Sequence, residues 1–335
     1  MVEPFRRARD ENTRKDFLDR EFVLVPAVSD AVVGPLFHRL LEAAYARNNR
    51  AIPRNKPNEI YSCLPIFYTL LDLERGHLVH RFTESDAHKL PIEFPKLQQL
   101  FPDQEIPGFA REFYERQWRW CPMEFDYHMG IRLPDPERII PITNRRKIEP
   151  ARDSIPKPDR KATLWVVEVP SELVGAHLKE KLQDKDEGPF DRCADGEGDG
   201  RSSSAPESWR MVVKQFSKSR KEEFIREQDL FNTLGEKPGI VQYLGWYESH
   251  QPILDGSQSR SQSANSTEAE DEVCYNLVLE LGDQDLYSAF QKENPPVHFQ
   301  EIRDFWRSLF DVADALASIQ TIHMTSFTAY VYVLA

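Results

Sequence analysis

Long apolar runs are missing from this sequence. Nowhere do its 335 residues reach the roughly 18–20 consecutive apolar side chains that a membrane-spanning helix needs. The start, MVEPFRRARDENTRKDFLDREF, carries charges where a signal peptide needs an apolar core. The expectation is an intracellular protein, cytoplasmic or nuclear, with no membrane partner. Cysteine is scarce: Cys63, Cys121, Cys193 and Cys274 lie far apart and form no C-x-x-C pair, which argues against a disulfide scaffold and against structural zinc. A basic excess is missing as well. The 43 Lys and Arg face 55 Asp and Glu, a net charge of -12, so nothing draws nucleic acid or an anionic surface to the chain as a whole. No internal repeat is visible.

What is present is ordinary globular composition, 40% hydrophobic and 11% aromatic, in a chain long enough for two domains or one large one. Residues 1–135 read as a mostly helical region with proline-rich connections, its apolar runs lying in PLFHRLLEAAYA, YSCLPIFYTLLDL and FAREFYERQWRWCPMEF. It offers surface for protein partners and no chemical motif. His77 and His80 in RGHLVHRF lack a third ligand at a helpful spacing, so a structural role outweighs a metal site. From 136 the pattern changes. A Pro-, Arg- and Lys-rich boundary leads into ATLWVVEV, Ala162 to Val169, β-branched and aromatic enough for a buried strand. Two polar inserts, near 188–208 and 249–272, have the Gly, Ser and acid content of segments that bury too little to repay ordering.

Between those inserts stands RMVVKQF, in which alternation places Val212, Lys214 and Phe216 on one face. The helix that follows, EEFIREQDLFNTL, places Phe224, Glu227, Leu230, Phe231 and Leu234 on one side, with Glu227 near its middle. A lone carboxylate or a lone ammonium on such a face would cost several kcal/mol in desolvation. Each charge is the simplest remedy for the other. Taken singly, Lys214 could instead snorkel at a strand edge and Glu227 could skirt the helix boundary.

The order then continues through PGIVQYLGWYES to CYNLVLELGDQDLYSAF, and this succession resembles the small lobe of a eukaryotic protein kinase. The resemblance implies an α+β architecture: a helical N-terminal region, a small lobe over 136–290 made of an antiparallel sheet with one packed helix, and the first helices of an incomplete large lobe over 291–323. It implies ATP as the ligand, and Ser/Thr phosphoryl transfer as the family's reaction. Lys214 takes the place of the lysine that holds the α and β phosphates, and Glu227 that of the helix glutamate that orients it. Leu279 takes the gatekeeper position, Glu280, Leu281 and Gly282 the hinge, and Asp285 the acid near the ribose. Val212 stands where the family favours alanine above the adenine. The arrangement most resembles kinase-like proteins of filamentous fungi, in which a Q-W-x-x-x-P segment, here QWRWCP from Gln117 to Pro122, precedes the lobe.

The departures are as specific as the matches. EPARDSIPKPDRKATLWVV, where a glycine-rich phosphate loop belongs, contains no glycine, and its prolines remove N–H donors. After His323 neither H-R-D nor D-F-G follows, so no residue is assigned as catalytic base or as magnesium ligand, and the expectation is a pseudokinase-like chain without turnover. The helix from Glu301 to Ile322 has Phe305, Leu309, Val312, Leu316 and Ile319 at core spacing. The closing segment, 324–335, with its uncharged aromatic run, reads as a docking strand or as a tail foreign to the fold. Two alternatives stay open: a non-enzymatic interaction module built on a degenerate lobe, and an unrelated α+β fold with the same pattern.

Overall fold

The computed structural model describes residues 3–32, 34–47, 52, 57–85, 87–132, 135–148, 162–183, 207–250, 273–282 and 295–321. Both polar inserts, the glycine-free segment 149–161, Asp285 and the 324–335 segment lie essentially outside the described residues. The chain is mixed α+β and divides into two compact units. One comprises residues 1–124, 137–144 and 169–174; the other comprises 125–136, 145–168 and 175–335.

The first unit is helical. After α1 (Glu3–Glu11), a short antiparallel hairpin of β1 (Thr13–Lys15) and β2 (Glu21–Val23) leads into α2 (Val25–Val32), α3 (Pro35–Ala46), α4 (Pro57–Tyr61), α5 (Leu64–Asp72), α6 (Val79–Thr83), α7 (Phe94–Leu100) and α8 (Phe109–Gln117). Proline in the first turn starts α3, α5 and α7, where its fixed φ suits the helix and its missing N–H is not needed. In LPIFYTLLD every residue from Ile66 to Leu71 is buried, so α5 is apolar all round and forms the centre of the unit. Phe5, Tyr68 and Trp120 pack on one another over it, with ring centroids 5.4–6.1 Å apart.

QWRWCP is consumed in holding this unit together. The fully buried Gln117 side chain accepts the Ile92 N–H at 2.7 Å and donates to the Ile92 carbonyl at 3.0 Å, clamping a backbone segment 25 residues away. Arg119 pairs with Glu21 at 3.0 Å and donates to the Thr13 hydroxyl at 3.2 Å. Trp120 donates its indole N–H to Asp72 at 2.9 Å. Cys121 donates to the Gln117 carbonyl at 3.2 Å, and burial pushes its thiol up to about 12, far from the thiolate a reactive cysteine needs. His80 is likewise occupied by the fold, its Nδ1 donating to the His77 carbonyl at 2.6 Å. Among the described residues no group of three or more His, Cys, Asp or Glu side chains is placed to hold a metal ion, and no helix is long and apolar enough to cross a membrane. Cys63 and Cys121 are not in disulfides.

The second unit is built on a six-stranded sheet. Its strands are β3 (Met129–Ile131), β4 (Asn144–Lys147), β5 (Thr163–Pro170), β6 (Ser208–Phe216), β7 (Tyr243–Ser249) and β8 (Cys274–Glu280), in the order β3-β7-β8-β6-β5-β4. Its helices are α9 (Ala176–Gln183), α10 (Lys221–Leu234) and α11 (Phe299–Thr321). β8 lies antiparallel to both β6 and β7. The edge strand β3, by contrast, runs parallel to β7, so the sheet is mixed where the sequence predicts an antiparallel one. Gly245, at φ 148° beside a register shift in β7, admits this edge: a Cβ there would meet the Met129 carbonyl oxygen at 2.6 Å.

Both faces of the central strands are covered, and β8 is buried at every position. One face carries Val212, Phe216, Tyr243, Tyr275, Leu277 and Leu279 against Phe224 of α10. On the other face Phe125 packs on Tyr247, with ring centroids 5.9 Å apart. The same face holds a buried polar cluster. Asn276 accepts from the Gln215 amide at 3.1 Å and donates to the Ser249 hydroxyl at 3.1 Å and the Tyr247 carbonyl at 3.3 Å. Buried amides satisfied in this way fix which residues pair across the sheet, because a slipped register would leave them without partners.

Candidate functional site

The ladder between β6 and β8 sets the site's frame. Val212 pairs with Leu279, Lys214 with Leu277 and Phe216 with Tyr275, so the lysine sits in the middle of an apolar face. Helix α10 crosses that face, anchored at two points. Phe224 meets the rings of Phe216, Tyr275 and Trp246 at 5.2–5.9 Å, and Phe231 stacks on Tyr243 at 5.7 Å. Glu227 lies three residues after the first anchor and four before the second, so the helical repeat gives it no choice but to face the sheet.

There it meets Lys214. The ammonium donates to the Glu227 carboxylate, and the two side chains are 13% and 15% exposed. Lys214 also lies 5.5 Å from the centroid of the Phe216 ring, whose face favours a cation. An ammonium carries three donors in a flexible head, so a carboxylate that fixes its position leaves it able to serve a second anion. The structure therefore brings together the two charges singled out in the sequence, with Val212 and Leu279, 8% and 4% exposed, beside them on the same face.

The predicted hinge residues divide. Glu280 is buried at 5% exposure and turned inward: its carboxylate accepts the Gln242 N–H at 2.7 Å while its own N–H donates to the Gln242 carbonyl at 3.0 Å. This two-way tie fixes the end of β8 to the segment that precedes β7. Leu281 and Gly282 follow it half-buried. Asp285 lies outside the described residues.

A second polar constellation was not foreseen. Glu236 receives hydrogen bonds from Tyr127 and, at 2.7 Å, from Lys181, and Gln242 donates to the Tyr127 hydroxyl at 3.2 Å. The Lys181 hydrogen bond holds the Glu236 carboxyl below the usual carboxylate range. Burial raises the Tyr127 phenol, with its bond to Glu236 acting in the same direction. These residues come from three distant stretches of sequence. No spacing rule links them, and Asn276, a buried amide inside CYNLVLE, likewise carries no signal beyond its polarity within an apolar strand. No family model and no curated protein matches the chain.

Proposed function

We propose that the second unit is a nucleotide-binding lobe of the protein kinase type, in which Lys214 meets the phosphates of ATP and Glu227 orients it, without phosphoryl transfer by these 335 residues. The observation that carries the reading is the Lys214–Glu227 ion pair on the apolar sheet face under α10. Desolvating both members of a buried ion pair offsets much of their attraction, so the pair is explained better by a ligand it serves than by the stability it adds. Bound ATP would supply the anionic phosphates that the lysine's remaining donors suit. The sequence contains neither H-R-D nor D-F-G, so no side chain is assigned to proton abstraction or to magnesium, and the reading is confined to binding. Without glycines before β5, phosphate gains few backbone donors, and weak affinity follows.

Calorimetric titration of the whole chain with ATP tests this reading. Wild type should bind, and Lys214→Met should bind at least about tenfold more weakly, the loss of one charge-assisted contact. Equal affinity of the two proteins would remove the role assigned to Lys214. One observation favours a second reading, a non-enzymatic interaction module. Val212 is packed into the cluster with Leu279 and Tyr243, so apolar side chains fill the neighbourhood where an adenine would lie. That reading is favoured if neither protein binds ATP while both remain folded.

A further inference from the structure

Most of the exposed large apolar side chains among the described residues fall within 297–316, on α11 or just before it. The inner side of the helix is seated. Gly239 approaches its backbone so closely that a Cβ would lie 2.8 Å from the Asp311 carbonyl, and Ala315 is fully buried. The outer side carries Phe299 at 81%, Ile302 at 38%, Trp306 at 54% and Phe310 at 68% exposure. With the exposed Ala313 and Ala317 they follow one another at intervals of three and four residues, a continuous stripe about 27 Å long. A stripe of this extent on the surface marks an association site.

We propose that the stripe is a dimer face whose occupant is a second copy of the same helix, packed antiparallel. Size and charge along the stripe select this occupant. Its bulky residues lie in the first half of α11 and its alanines in the second. An antiparallel pair centred between Trp306 and Phe310 sets Phe299 against Ala317 of the second copy, Ile302 and Arg303 against Ala313, and Trp306 against Phe310. At the two ends Phe299 and Ile302 then enter the spaces left by alanines, and at the centre Trp306 and Phe310 pack ring on ring across the two-fold axis. The same register brings Arg303 beside Asp314 of the second copy, whose carboxylate is 71% exposed and shared with Lys237 of its own chain. A parallel pair would stack Phe299 on Phe299, Arg303 on Arg303 and alanine on alanine, giving clashes, like charges and voids. The two-fold contact is isologous and closes, so it forms dimers and not filaments. One helix pair buries less than a large obligate interface, so association in the micromolar range is expected.

The test uses the full chain in sedimentation velocity from about 1 to 100 μM, a range that brackets micromolar association. Wild type should pass from monomer to dimer across it, and Trp306→Asp should weaken the dimer at least about tenfold, as removal of a central aromatic anchor does. Trp306 is on the surface, so the variant keeps its fold and its melting temperature. A second measurement reads the register with a short bismaleimide. Phe299→Cys and Ala317→Cys proteins should cross-link when mixed, and neither should cross-link with itself at the new cysteine. Wild type that stays monomeric, a dimer unaffected by Trp306→Asp, or self-linking of Phe299→Cys would each overturn the proposal. The first outcome would assign the stripe's cover to the chain itself or to another protein.

Discussion

Replacing Asp72 by alanine should destabilise the N-terminal unit by about 3 kcal/mol, the cost of taking a buried carboxylate from two guanidiniums that keep only the more exposed Asp10 and Glu21, and from a buried indole N–H. The Asp72 side chain is fully buried. One of its oxygens receives Arg9 at 2.7 Å; the other receives the Trp120 indole N–H at 2.9 Å and has Arg119 at 4.0 Å. Arg9 and Arg119 are only 20% and 18% exposed, so neither guanidinium can recover full hydration once the carboxylate is gone. Trp120 is 1% exposed and would keep an unpaired N–H in the core. Asp72→Asn retains the shape and one acceptor and should cost less, about 2 kcal/mol. Urea unfolding followed by tryptophan fluorescence checks both values. A loss under about 1 kcal/mol for Asp72→Ala would show that the cluster does not support the unit.

Glu227→Ala should cost the second unit about 3 kcal/mol, because it strands the Lys214 ammonium under α10 with little access to water. A coupled pair also differs in sign from two independent losses. Lys214→Met combined with Glu227→Leu should recover much of the stability lost in Glu227→Ala, since two apolar side chains fill the site without any charge to desolvate. Denaturant unfolding of wild type, the two single variants Lys214→Met and Glu227→Leu, and the double variant forms a thermodynamic cycle. A coupling of at least about 1 kcal/mol is expected, and additive effects would mean that the two charges do not depend on each other. The experiment concerns stability alone and stands whether or not a nucleotide binds.

Lys214 and Glu227 were legible in the sequence because two short periodicities sufficed. Alternation along RMVVKQF and the helical repeat along EEFIREQDLF each place one charge among apolar neighbours, and desolvation makes them partners. The strand at 163–170 and the mixed α+β class were legible for similar local reasons. What could not be read depends on contacts distant in sequence. Three residues, Met129–Ile131, form a parallel edge strand because Gly245 admits them, and no local pattern distinguishes such a piece from loop. QWRWCP was visible as a motif, yet the clamp of Gln117 on Ile92 and the bond from Trp120 to Asp72 exist only in the folded unit. In α11 the core spacing points to Phe305, Leu309, Val312, Leu316 and Ile319. Leu316 is nevertheless 41% exposed, and a second apolar stripe occupies the outer side. A helix apolar on two sides does not reveal by periodicity which side is covered first.

The central proposal is that Lys214 stands where nucleotide phosphates bind, and labelling with an acyl phosphate of ATP tests it most directly. Such a reagent places an activated acyl group at the phosphate terminus and transfers it to a neighbouring lysine amine, releasing ATP as the leaving group. Peptide mass spectrometry of the labelled chain reads which lysine was acylated. Preferential acylation of Lys214, suppressed by excess unmodified ATP, is the expected result. Lys214 left unmodified while surface lysines react, or modified to the same extent with and without competing ATP, would contradict it.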